Sequence, residues 1–140
     1  MKSRSSSSLF LIELIIALLF FSVCAAICVN IFAKSALLAK NARESENAVL
    51  LAENAAAAYK SAGGDMDKTA ALLGGNCDLG SVSASYDENC SSAEDDGVYS
   101  LTIIPDDDSP YYTGACITVC GSSGGELFSM SVGAMGGGAQ

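Results

Sequence analysis

From Leu9 to Ala33 the chain reads LFLIELIIALLFFSVCAAICVNIFA, apolar at nearly every position and charged only at Glu13. As a helix, rising roughly 1.5 Å per residue, this run is long enough to cross a hydrocarbon core of about 30 Å. Beyond Ala33 polar residues enter, and no Pro or Gly occurs until Gly63 and Gly64, so the helix is predicted to continue to Ala62. Leu38, Ala42, Ser45, Val49, Ala52, Ala56 and Tyr59 recur at spacings of four and three, a stripe expected to carry a small domain. Asp65 to Leu73 reads as a short helix, with Asp65 as its N-cap and Gly74 ending it.

After Gly74 the period falls from 3.6 to 2. Strands are predicted over residues 81–86, 98–104, 115–120 and 127–132. Tyr99, Leu101 and Ile103, then Ile117 and Val119, then Phe128, Met130 and Val132 are placed on one face. The connectors at residues 87–89, 94–97, 106–110 and 121–125 are turn chemistry, short enough for antiparallel hairpins, and the Gly-rich tail from Gly133 to Gln140 is expected to fray. The pattern therefore predicts an α+β chain: a long N-terminal helix, apolar in its first half, packed on a four-stranded antiparallel sheet. Its segments are 1–8, polar; 9–33, the apolar half of the helix, long enough to span a membrane; 34–62, the half of the helix that polar residues enter; and 63–140, an acidic β-rich domain.

Charge sharpens this division. Of 140 residues, seven are Lys or Arg and sixteen Asp or Glu, a formal net charge of −9. All seven cations precede Thr69, whereas ten acids and no cation follow it. Such a balance opposes phosphate neutralisation, so no direct nucleic-acid partner is expected. The chain has no histidine and so lacks the usual general base near neutral pH and the commonest metal ligand; no enzymatic activity, metal or cofactor is expected. Gly121-Ser122-Ser123-Gly124-Gly125 matches the G-x-S-x-G pattern of hydrolase elbows. That elbow needs a helix after it and a histidine base, so the segment reads as a hairpin loop. Acids at 94–96 and 106–108 could offer oxygen ligands to calcium but lack EF-hand spacing, and read as solvated loops.

An ionised acid inside a membrane helix costs about 2 to 3 kcal/mol near the bilayer centre, so Glu13 needs a partner. The stretch Ser8-Leu9-Phe10-Leu11-Ile12-Glu13-Leu14, after a short leader carrying Lys2 and Arg4, resembles the N-terminal signature of type IV prepilins and pseudopilins. Ser8 stands where that family usually has glycine. The resemblance covers roughly residues 1 to 60. It implies a pilin-like fold, cleavage between Ser8 and Leu9 by a prepilin peptidase, methylation of the Leu9 amine, and extraction from the membrane into a filament. The filament would be a type IV pilus, a competence filament or a type II secretion pseudopilus. Implied partners are copies of the chain, other pilin-like subunits, the inner-membrane assembly platform and membrane lipid. The implied location is the cell membrane, single-pass with a cytoplasmic N-terminus, and then an extracytoplasmic filament. Glu13 would compensate the freed Leu9 amine of a neighbouring subunit, which is largely cationic at neutral pH. The alternative is a membrane-anchored or secreted binding domain with no filament role, including a conventional signal cut between Ser22 and Ala26.

Six cysteines complete the inventory. Cys24 and Cys28, four apart, share one face of the membrane helix and read as small packing residues. Cys77, Cys90, Cys116 and Cys120 fall in the small domain, where an oxidising compartment would bridge them. If 116–120 is extended, its ends lie roughly 13 Å apart, which excludes a bridge between Cys116 and Cys120. Both remaining double pairings tie the 77–90 region to the third strand. A single Cys77–Cys90 bridge and a four-thiolate zinc site are the other possibilities.

Overall fold

The structure, a computed structural model, describes residues 2–94, 96–106 and 112–135, with side chains from residue 6 onward. Of the residues considered above, Asp95, Asp107, Asp108, Ser109, Pro110 and residues 136–140 lie outside the described ones, as do the side chains of Lys2 and Arg4. Two compact units are present, residues 1–41 and 42–140. One helix, α1 (Lys2–Ser61), supplies all of the first unit's regular structure and the opening of the second.

Among the described side chains of the first unit, residues 6–41, α1 buries none. Its large apolar side chains from Leu9 to Phe32 are all exposed, and its most apolar stretch has a mean hydropathy of 2.8. This is one helix long and apolar enough to cross a membrane.

In the second unit the last turns of α1 pack on a five-stranded antiparallel sheet ordered β1-β2-β3-β4-β5. The strands are β1 (Asn76–Asp78), β2 (Ser81–Tyr86), β3 (Tyr99–Asp106), β4 (Thr113–Cys120) and β5 (Glu126–Ala134), preceded by helix α2 (Met66–Leu73). The expected α+β architecture stands, with five strands rather than four. The added β1 is only three residues long, too short for periodicity to reveal, and it forms because the hairpin sets Cys77 against Val82. The fifth strand also runs past the expected fraying point to Ala134, which is buried.

The stripe its spacing suggested is buried from Ala52 through Ala56 to Tyr59, with Val49 half-buried, but its first part is exposed and Ala48, Leu51 and Ala55 join it. Ala48, Leu51, Ala52, Ala55, Ala56 and Tyr59 are buried, while Leu38 and Ser45 are exposed. In so alanine-rich a helix apolar spacing fits several faces equally well. The sheet chooses among them: large Val82, Leu101, Ile103, Ile117 and Val119 fill the core from its side, and the alanines of the helix complete it. Tyr59 is fully buried and donates its hydroxyl to the Thr113 carbonyl at 3.2 Å, tying the helix end to β4.

The short helix is capped as expected. The Asp65 carboxylate accepts from the N–H groups of Asp67 and Lys68, which, led by Lys68, hold its carboxyl below the usual range. At the other end Gly74 takes the left-handed conformation, φ 67°, that closes the helix. Pro105 sits in the interior strand β3 without breaking it, because β2 pairs with β3 only as far as Ile103.

The β1–β2 turn has Leu79 at φ 50° followed by Gly80 at φ 81°. Leu79 is completely exposed and gains no packing in return for a left-handed backbone that Asn tolerates far better. Leu79→Asn is therefore expected to stabilise the domain by about 1 kcal/mol, read as a higher denaturant midpoint with an unchanged slope.

Candidate functional site

The residues singled out from the sequence fall into two groups. Ser8, Leu9 and Glu13 lie together near the start of α1, all exposed. Glu13 is flanked one turn away by Leu9, Phe10, Ile16 and Ala17, so its carboxylate stands alone on an apolar surface. Among the described residues it has no ion pair or hydrogen bond. Cys24 and Cys28 are likewise exposed on this helix.

The four cysteines of the second unit are free thiols, and the fold separates the pairs expected from spacing. Cys77 lies directly opposite Val82 and so shares the helix-facing side of the sheet. Cys116 and Cys120 alternate with buried Ile117 and Val119 and therefore face the other way. Cys90 lies in the turn beyond Tyr86, packed against the core, whereas Cys77 sits at the level of Val82, roughly 13 Å back along β2. A bridge from Cys77 to Cys116 or Cys120 would have to cross the sheet, and Cys77 and Cys90 are beyond the reach of about 7 Å between Cα atoms. In this structure the four thiols stand unpaired, with Cys77 on the opposite side of the sheet from Cys116 and Cys120. Nor do they gather as a zinc site: no group of three or more metal-ligating side chains converges among the described residues.

The two helix-side thiols are chemically subdued. Partial burial, then the adjacent Asp67 carboxylate, push the Cys77 thiol up from its usual value; burial and then Asp87 do the same for Cys90. A raised pKa leaves less thiolate for oxidation or metal binding. The turn holding Cys90 is built by Asp87, whose carboxylate accepts from the N–H groups of Asn89 and Ser91, and Asn47 of α1 donates to the Glu88 carbonyl. Cys90 itself takes φ 59° there.

The segment with the G-x-S-x-G pattern is the β4–β5 turn, closed by the Gly121 N–H donating to the Gly125 carbonyl and the Gly124 N–H to the Gly121 carbonyl, and followed by a strand.

One feature of the sheet was not singled out from the sequence. The outward side chains of β2 to β5 form cross-strand rows: Ser83, Thr102, Thr118 and Ser129 in one, and Ser85, Ser100 and Cys120 in the next. A third joins Ile104, Cys116 and Ser131. The signal was present as alternation, S-x-S-x-S at 81–85 and C-x-T-x-C at 116–120, but only the pairing register shows that these positions line up. Comparison with family models, with curated proteins and with solved structures finds no match for this chain.

Proposed function

We propose that this protein is a structural subunit of a filament of the type IV pilus, competence or type II secretion pseudopilus kind, polymerising through the first half of α1. The observation that carries this reading is Glu13, a lone acid in an exposed apolar helix, four residues after Leu9. In a membrane it is a liability; against a neighbour's freed Leu9 amine, in low dielectric, it becomes half of an ion pair. The resemblance of residues 8–14 to the prepilin signature supports the same reading, as does a small α+β domain built on the continuation of that helix. Under this proposal residues 1–8 are removed by a prepilin peptidase, and the partners are copies of the chain, other pilin-like subunits and the membrane assembly platform. The chain passes from a single-pass membrane protein to an extracytoplasmic filament.

Intact-mass and N-terminal peptide analysis of protein taken from its native cell envelope tests the first step. The expected mature chain begins at Leu9 with a methylated amine and has 132 residues, the 140 of the full chain less eight. A mature start near Ala25 or Ala26 would identify an ordinary secretory signal and overturn the filament reading.

A further inference from the structure

Of the six asparagines in the chain, only Asn89 has Ser or Thr two residues after it. The run Asn89-Cys90-Ser91, with no proline between, is the acceptor pattern for N-linked glycans. Three residues recur by chance, so the pattern needs support. One support lies in the sequence. The stricter of the enzymes that transfer such glycans also read an acid two residues before the asparagine, and Asp87 stands there, completing Asp87-Glu88-Asn89-Cys90-Ser91.

The fold supplies the other. The chain reverses within these five residues, where the Asp87 N–H donates to the Ser91 carbonyl at 2.9 Å and the Cys90 N–H to the Asp87 carbonyl at 3.0 Å. Asn89 lies at the tip. Asn89 and Ser91, the two residues that a transferase recognises, are exposed, while Cys90 between them is packed in against the core. The turn is held from beneath by the Asp87 carboxylate and by Asn47 of α1, which donates to the Glu88 carbonyl at 3.3 Å. None of these bonds uses the Asn89 side chain. Among the described residues its carboxamide makes no hydrogen bond, so its nitrogen is not engaged by the protein.

We propose that Asn89 is a glycosylation site, taking an oligosaccharide from a polyprenyl diphosphate donor. The carboxamide nitrogen forms a bond to C1 of the first sugar, and the bond from that carbon to the diphosphate oxygen breaks. The amide loses one proton and the polyprenyl diphosphate leaves, with no change of oxidation state. In the cell the transfer rests on the reading proposed above, which places residues 42–140 outside the cytoplasm, where exported domains meet such donors. A glycan is bulky and hydrophilic. In a filament of the proposed kind the 87–91 turn therefore lies on the solvent side and not between subunits.

The test uses the purified full chain in detergent micelles, a purified single-chain oligosaccharyl transferase and a polyprenyl diphosphate oligosaccharide. A flexible C-terminal tag repeating the sequence of residues 87–91 serves as an internal reference. Intact mass counts the glycans, and peptide fragmentation places them. The expected product carries two, one on the tag and one on Asn89. Asn89→Gln and Ser91→Ala should each keep only the tag's glycan, whereas Ser91→Thr and Cys90→Ser should keep both. A glycan on the tag alone in the unsubstituted chain would show that the folded turn withholds Asn89, and would overturn the proposal. A glycan on neither would overturn it as well, because these five residues would then be no acceptor even in a flexible segment. Since enzyme and donor are supplied in solution, the result is independent of where the cell places the domain and of whether Glu13 serves a filament.

Discussion

Glu13→Gln is expected to give a processed, membrane-retained subunit that is absent from sheared surface filaments. The substitution removes the charge while nearly preserving size and hydrogen-bonding capacity. In the isolated subunit it relieves a cost, since a neutral amide is easier to hold in lipid than an ionised acid, and accumulation should be normal or higher. In an assembled filament the effect reverses. The neighbour's Leu9 ammonium would be left buried without its counter-charge, and breaking one side of a buried pair typically costs about 3 to 5 kcal/mol, repeated at every subunit contact. Immunoblots of whole cells against sheared filaments separate the two effects. Wild-type amounts of the variant in the filament fraction would show that Glu13 does not compensate the amine.

Leu101→Ala should be the most damaging of the conservative core changes. Leu101 is fully buried on the inner side of β3, paired with Ala84 on one side and Val119 on the other, beneath the alanine stripe of α1. Neither Ala84 nor the helix alanines can extend to fill the void, so the loss belongs toward the upper part of the range of about 2 to 5 kcal/mol for such truncations. A small domain has little stability to spare. Leu50→Ala, on a half-exposed residue of the same helix, is the control and should shift the midpoint far less. Denaturant titration of both variants, followed by near-ultraviolet circular dichroism of the tyrosines, measures the difference. Equal losses would mean that α1 presents another face to the sheet.

The strands were legible because alternation survives wherever one face is buried: Tyr99, Leu101 and Ile103, and Ile117 and Val119, occupy the face that period two assigned them. The capped helix α2 was legible for a local reason, since Asp65 and Gly74 act on the backbone within a few residues of themselves. The apolar run with Glu13 needs no fold to be recognised, because lipid acts as a solvent on the helix directly.

The remaining features depended on contacts between distant residues. Which alanine face of α1 is buried was decided by the large side chains of the sheet, far away in sequence. β1 exists only because a hairpin brings it to β2. The fate of the cysteines shows the division most clearly. Spacing could exclude a bridge between Cys116 and Cys120, since extended backbone has a fixed rise per residue. It could not show that Cys77 would face the helix while Cys116 and Cys120 face away, because that follows from register, and register is set by which partner strand each segment meets. The sequence by itself determined the periodic elements, their caps and the apolar helix, all of which answer to neighbouring residues and solvent. Only the tertiary structure decided which thiols share a side of the sheet, because sidedness is a property of the assembled sheet rather than of any one strand.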